Sequence, residues 1–268
     1  MSDLPGSDLQ SLKDVTLIVP AAGIGSRMSA SKPKQYLSIA GKPILAHTLK
    51  KLLQLNPRKI VLVVSAQDHE FESIEFVDRC DIVIGGSSRA ASVSNGLASL
   101  DCDADDWVMV HDCARPCVRT ANILELYNRL RNTDVGGILA VPVSDTLKKI
   151  VASHPLPFSE DAQKKTLQAS SNETVTESSS ETIRIQETLD RSELWLAQTP
   201  QMFRFGMLKQ ALDQAIESEI EITDEASAIE ASGQAPEIVE GSKDNIKITT
   251  QEDLLHAAYI LSQQESIN

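Results

Sequence analysis

The chain has 268 residues, 41% of them apolar and only 4% aromatic, which suits one large α/β domain with a mainly aliphatic core. Lys and Arg number 25 against 38 Asp and Glu, and a formal charge of −13 argues against nucleic acid or an anionic membrane as the main partner. A nucleotide substrate stays open, because a local cluster of cations can bind phosphate inside an acidic protein.

The opening stretch MSDLPGSDLQSLKD is polar and acidic. It reads as a flexible N-terminus over 1–14, not as a signal or transit peptide. Val15–Ala22 is the first predicted strand. Ile44, Leu45, Leu49, Leu52 and Leu53 then share one helical face, with Lys50 on the polar side. Strands follow at Lys59–Ala66, Asp81–Gly86, Trp107–Asp112 and Gly137–Val143, with a short one at Glu237–Glu240. These runs are nearly all apolar rather than alternating, as expected of strands covered on both faces. Thr120 reads as the N-cap of a helix over 121–131. Thr250 with Asp253 resembles a capping box, with Asp in place of Glu or Gln. The alternation of strand and helix predicts a mostly parallel twisted sheet with helices on both faces.

Residues 154–182 interrupt that pattern. They are rich in Ser, Thr and Glu and poor in bulky apolar side chains, so a disordered insertion is expected within an arm over about 143–190. The main domain is expected over 15–262, with a flexible tail at 263–268 and no second catalytic module. No apolar run approaches the length of a membrane span. The cysteines Cys80, Cys102, Cys113 and Cys117 form no CxxC pair and read as reduced thiols of a cytoplasmic protein. The scattered histidines contain no HExxH, and there is no internal repeat.

The first strand ends in Pro20-Ala21-Ala22-Gly23-Ile24-Gly25-Ser26-Arg27-Met28. A strand entering a glycine-rich turn suggests a phosphate cradle of backbone N–H groups. Two familiar versions fail. A dinucleotide fingerprint wants a third glycine where Met28 stands, and a P-loop would need Ser or Thr where Pro43 follows Gly41-Lys42. Arg27 and Lys34 follow closely, and two cations beside such a turn suit a triphosphate. On this segment alone, an ordinary turn with solvated charges remains the alternative. Asp112 ends a buried-looking strand, where open α/β sheets place ligands, and one Asp can help hold Mg²⁺ when phosphates supply other ligands. A helix-capping role remains its alternative. There is no GxSxG elbow and no obvious Cys–His pairing.

PAAGIGSRM followed by KPKQYLSIAGKPIL resembles the opening signature of the methylerythritol-phosphate cytidylyltransferases. IGGSSRAASVSNGL, VMVHDCARPCV, AVPVSDTLKKI, LDRSELWLAQTPQMF, ITDEASAIEASG and EGSKDNIKITTQEDL continue the resemblance in the same order, from about residue 15 to about 262. It implies a Rossmann-like nucleotidyltransferase that moves CMP from CTP to a sugar-alcohol phosphate and releases pyrophosphate, in non-mevalonate isoprenoid precursor biosynthesis. The nucleophile would be a phosphate oxygen, already anionic near neutral pH, so no general base is required. Cations, backbone N–H groups and Mg²⁺ would carry the transition-state charge.

The resemblance also implies roles. Arg27 and Lys34 would hold the triphosphate, and Lys247 would sit between the α-phosphate and the incoming phosphate. Ala21, Ala22, Gly23, Gly25 and Gly86 would bind the nucleotide through the main chain, with a side-chain contact from Ser92. Asp112, Arg115, Thr146, Arg191, Thr199 and Lys247 would bind the second substrate, and Asp112 the metal. His111 reads as structural, and the Thr223-Asp224-Glu225-Ala226 run mainly as a helix cap with a supporting contact to ligand as its second reading. A homodimer with exchanged arms is implied, although the insertion 154–182 is longer than the family's short arm. The alternatives are a sister enzyme acting on ribitol 5-phosphate, an NAD-dependent oxidoreductase and a non-catalytic nucleotide-binding protein.

Overall fold

The computed structural model describes residues 11–23, 32–151 and 183–266. Gly25, Arg27 and the whole of the expected insertion 154–182 lie outside the described residues. The chain divides into two compact units, Met1–Val141 with Ala197–Asn268, and Pro142–Leu196.

In chain order the strands are β1 Val15–Pro20, β2 Ser38–Ile39, β3 Lys42–Pro43, β4 Lys59–Val64, β5 Asp81–Ile84, β6 Trp107–Val110, β7 Gly136–Pro142, β8 Lys148–Val151, β9 Arg184–Thr188, β10 Trp195–Arg204 and β11 Glu237–Glu240. The main sheet has the order β11-β7-β10-β6-β1-β4-β5. β6, β1, β4 and β5 run parallel, as do β11 and β7, while β10 is antiparallel to β6. The expected mostly parallel α/β sheet is present.

The continuous apolar runs have a simple cause. Successive side chains of a strand point to opposite faces. Leu17 and Val19 of β1, with Leu62 and Val64 of β4, feed one buried cluster. Ile18 of β1, with Val61 and Val63 of β4, feeds a second. The helices Ile44–Gln54 and Thr120–Leu130 cover the first face through Leu45, Leu49, Leu52, Ile123 and Leu126. The helices Arg89–Ala98, Phe205–Glu217 and Glu225–Ala231 cover the second through Val93, Leu97, Leu208, Leu212 and Ile229. A helix so covered on its apolar stripe gains most of its stability from that burial.

Four expectations change. β10 was not foreseen, yet it lies between β6 and β7. Gln198, Thr199, Pro200 and Gln201 hide it, because proline in mid-run argues against a central strand. Its register with β6 runs from Gln201–Val110 to Arg204–Trp107, so Pro200, which has no N–H to donate, falls just past that ladder. Second, the helix expected to be capped by Thr120 begins with it, and Arg119 stands at the N-cap without a side-chain cap bond. Third, the chain is already packed at residue 12. Leu12 is fully buried, its N–H reaches Leu55 O at 2.9 Å, and Asp14 accepts from the Tyr127 hydroxyl at 2.6 Å. Fourth, the helix Gln251–Ser266 continues past 262, because Leu254, Ala257 and Leu261 are buried and Gln264 donates to Cys117 O at 2.9 Å. The Thr250–Asp253 cap does form. Asp253 accepts from the Thr250 N–H at 2.8 Å and donates its own N–H to Thr250 Oγ1 at 3.3 Å.

The second unit contains the antiparallel pair β8–β9, with an irregularity between Lys149 and Ile150. Lys149 pairs with Glu187 across it at 3.0 Å. The segment expected as an arm, about 143–190, falls within this unit. Among the described residues no helix is long and apolar enough to cross a membrane.

Candidate active site

β1, β4, β5 and β6 are parallel, so their C-terminal ends share one edge of the sheet. The turn after β1 is held from two sides. The Ala21 N–H donates to Val63 O at 2.7 Å, and Gln35 Nε2 donates to Ala21 O at 2.9 Å. Gln35 belongs to the short 3₁₀ turn Lys34–Tyr36, which fixes the backbone beneath Lys34.

The loop after β5 packs on this turn. A side chain at Gly85 would put its Cβ 2.6 Å from Ala22 Cβ and 2.7 Å from Ser92 Oγ, so only glycine permits the approach. The Gly86 N–H donates to Ser92 Oγ at 3.1 Å, and that hydroxyl donates to Ser88 O at 2.8 Å. Ser88 caps the helix Arg89–Ala98 by accepting from the Ala91 N–H at 3.0 Å. Ala21, Ala22, Gly86 and Ser92 are therefore brought together. The Ser92 hydroxyl also shapes the loop, which spacing alone did not disclose.

Asp112, just beyond β6, is the charge hub. Arg89 Nη2 lies 3.0 Å from its Oδ1, and Lys247 Nζ lies 2.9 Å from its Oδ2. Arg115 Nε lies 3.6 Å from Oδ2. Burial opposes ionisation, but Arg89, Lys247 and Arg115 together hold the Asp112 carboxyl well below the usual carboxylate range. Arg89 also forks onto Glu225, at 2.7 Å from Nη1 and 3.0 Å from Nη2. Glu225 offsets the charge of Arg89, while Arg115 and Lys247 both face the single carboxylate of Asp112, and two adjacent cations suit a phosphate. Arg89, Asp112, Arg115 and Lys247 line a cavity of about 170 Å³ together with Thr199 and Asp224.

Lys247 reaches this cavity because its segment is pinned on both sides. The Ile248 N–H donates to Ala114 O at 2.9 Å, and Arg115 Nη1 donates to Asn245 O at 2.6 Å. Asn245 Nδ2 donates in turn to Thr199 O at 2.8 Å. Arg115 therefore braces the Lys247 segment as well as facing Asp112. Lys34 is close enough to oppose the upward push on Cys113, whose burial sets the thiol at about 11. A neutral buried thiol is no nucleophile.

Thr146 and Arg191 belong to the second unit. Both are exposed there, and the Arg191 guanidinium donates to Ser144 O. The fork between Arg89 and Glu225 is not expected from their motifs, which suggest a loop contact for the first and a helix cap for the second. Their signal was a basic residue inside an otherwise small, uncharged loop and a carboxylate opening a helix, 136 residues apart.

The family model of 2-C-methyl-D-erythritol 4-phosphate cytidylyltransferase (IspD) matches residues 15–169 and 159–263. A curated relative of that name from Tolumonas auensis is 43% identical over 258 residues, covering 95% of this chain and 99% of its own. Another from Photobacterium profundum is 42% identical over 255 residues, with 94% and 97% covered. The crystal structure of the Francisella tularensis protein of that name superposes with a TM-score of 0.70 at 36% identity, covering 92% of this chain and 99% of that one.

The chain belongs to the 2-C-methyl-D-erythritol 4-phosphate cytidylyltransferase family. Membership removes the oxidoreductase alternative. Among the described residues no group of three or more His, Cys, Asp or Glu could hold a metal ion.

Proposed function

We propose that this chain transfers CMP from CTP to 2-C-methyl-D-erythritol 4-phosphate, giving 4-diphosphocytidyl-2-C-methyl-D-erythritol and pyrophosphate. The observation that carries this reading is Lys247, held 2.9 Å from Asp112 in a cavity that Arg89 and Arg115 also line. A monoester phosphate oxygen attacks the α-phosphorus, a new P–O bond forms, and the α–β bridging bond breaks with its electron pair leaving on pyrophosphate. The second pKa of such a phosphate is about 6, so the attacking oxygen needs no base. The nearest imidazole agrees, since burial pushes His111 down to about 4 and keeps it neutral.

Lys247 and Arg115 draw the two anions together, and Lys34 with Arg27 balances charge on the triphosphate. Magnesium bound with CTP would supply further neutralisation of that charge. The Asp112 carboxylate fits such an ion only as one ligand among phosphate oxygens, because both its oxygens already face cations. The free thiols Cys80, Cys102, Cys113 and Cys117 support a reducing compartment, the cytoplasm. A homodimer in which Thr146 and Arg191 of one chain complete the site of the other is part of the same proposal.

The test is pyrophosphate release from CTP and Mg²⁺ with each of two acceptors, 2-C-methyl-D-erythritol 4-phosphate and ribitol 5-phosphate. Turnover with the first is expected. Turnover with ribitol 5-phosphate alone would replace the acceptor, and no pyrophosphate with either would overturn the activity.

A further inference from the structure

Arg89 is the first residue of the helix Arg89–Ala98, directly after the loop that packs on the Ala21–Ala22 turn. By position it belongs to the nucleotide loop. By contact it does not. All three of its guanidinium nitrogens are engaged with carboxylates carried by other elements. Nε and Nη2 meet Asp112 Oδ1 at 3.1 and 3.0 Å, and Nη1 and Nη2 meet Glu225 Oε1 and Oε2 at 2.7 and 3.0 Å.

Glu225 is fully buried at the start of the helix Glu225–Ala231. That helix start is itself fastened to β10. Gln201 Nε2 donates to Asp224 Oδ2 at 2.8 Å, and Gln201 Oε1 accepts the Ala226 N–H at 2.9 Å. Glu225 is therefore a rigid brace, and the planar guanidinium transmits its position to Asp112. Buried ion pairs of this kind contribute little net stability compared with apolar packing of the same volume. What this one supplies is orientation.

The two oxygens of Asp112 divide the work. Oδ1 is held by Arg89, while Oδ2 faces Lys247 at 2.9 Å and Arg115 at 3.6 Å. Without Arg89, Oδ1 loses both of its guanidinium donors and the carboxylate can rotate about its Cβ–Cγ bond. Lys247 follows, because its ammonium is bound to the other oxygen. A small misplacement of a group acting on the reacting phosphate can cost on the order of 100-fold in rate.

We propose that Arg89, braced by Glu225, is a positioning residue for the second substrate: it fixes the Asp112 carboxylate and through it the Lys247 ammonium, and does not read the nucleotide. This rests on the cytidylyltransferase reading above, but it fails separately from it.

The test uses the full chain with Arg89→Met and Glu225→Gln combined, so that neither buried charge is left alone, beside Glu225→Gln and Arg89→Lys as single variants. Affinity for Mg-CTP without acceptor is measured by calorimetry, and turnover with 2-C-methyl-D-erythritol 4-phosphate by pyrophosphate release. The double variant is expected to bind Mg-CTP within about twofold of wild type, while kcat/KM for the acceptor falls about 10–100-fold. Arg89→Lys keeps the charge without the fork and should fall between. A matching loss of Mg-CTP affinity would place Arg89 in the nucleotide site and overturn the proposal. So would unchanged kcat/KM for the acceptor in either Arg89 variant. If the double variant does not fold, Arg89→Lys decides on the same two measurements. Wild-type turnover in the same assay separates this failure from failure of the assigned reaction.

Discussion

The Asp112 backbone N–H donates to the Thr199 hydroxyl at 3.0 Å, joining residues 87 apart in the chain. The Thr199 hydroxyl lies 3.1 Å from His111 Nδ1, and His111 Nε2 lies 3.2 Å from Arg115 O. A carbonyl can only accept, so Nε2 carries the imidazole proton and Nδ1 accepts from Thr199. The relay runs Asp112 to Thr199 to His111 to Arg115, and it closes the turn that carries both Asp112 and Arg115. Thr199 thereby holds Asp112 as well as lining the cavity.

Thr199→Val removes that hydroxyl and leaves the Asp112 N–H and His111 Nδ1 unpaired in a buried site. Leaving a buried donor unsatisfied costs about 1–3 kcal/mol. Urea unfolding should show a loss of that size, together with a fall in kcat/KM for the acceptor. Thr199→Ser keeps the hydroxyl and should recover most of both. Equal behaviour of the Val and Ser variants would show that the hydroxyl does not hold the turn.

His111 makes stability depend on pH in a definite direction. Its burial sets the folded pKa at about 4, below the ordinary 6.5. Between those values the unfolded chain binds the proton and the folded chain does not, so stability rises with pH across this window and falls on acidification. A shift of that size corresponds to about 3 kcal/mol, fully lost below pH 4. His111→Gln cannot titrate. The stability difference between wild type and His111→Gln, followed by denaturant unfolding from pH 7 to pH 4, should move against wild type as pH falls. Parallel curves would mean that His111 titrates alike in the folded and unfolded chain, so that its burial does not shift it.

Much of this was legible because it depends on local sequence. β1, β4 and β6 announce themselves as apolar runs since both faces of each strand are covered, and Asp112 stands out by ending one of them. What stayed hidden depends on partners far away in the chain. β10 is masked by Gln198, Pro200 and Gln201, which become intelligible only when Gln198 reaches Ser242 O and Gln201 reaches Asp224. Arg89 sits in one motif and Glu225 in another far along the chain, and only folding brings them into one fork. The end of the last helix is likewise set by Gln264 bonding to Cys117, which no periodicity reveals.

The contact between the two nucleotide loops gives a prediction at Gly85. Gly85→Ala places a Cβ within 2.7 Å of Ser92 Oγ and closer still to Ala22 Cβ, so the loop must move off the end of β1. Overpacking of this kind costs about 1–3 kcal/mol. The KM for CTP should rise while the KM for the acceptor changes little, because the Asp112 cavity does not include Gly85. Steady-state kinetics with each substrate varied in turn checks this, and an unchanged KM for CTP would show that the loop does not hold the nucleotide.

A shared site between subunits can be tested without imaging the dimer. Lys34 lies in the first unit, on the nucleotide side, and Arg191 in the second. If Arg191 serves the partner chain, each site draws Lys34 from one chain and Arg191 from the other. Chains carrying Lys34→Ala and chains carrying Arg191→Ala are each expected to form homodimers without a complete site. In a mixed dimer one site then holds both lesions and the other holds neither. Random assembly makes about half of the dimers mixed, each with one intact site of two, so about a quarter of wild-type activity should return. If Arg191 serves its own chain, both sites of the mixed dimer are damaged and mixing restores nothing. Co-expression with two different affinity tags isolates the mixed species, and each single variant must first be shown to be nearly inactive. Purified mixed dimers with no more activity than the homodimers would rule out the exchanged arm.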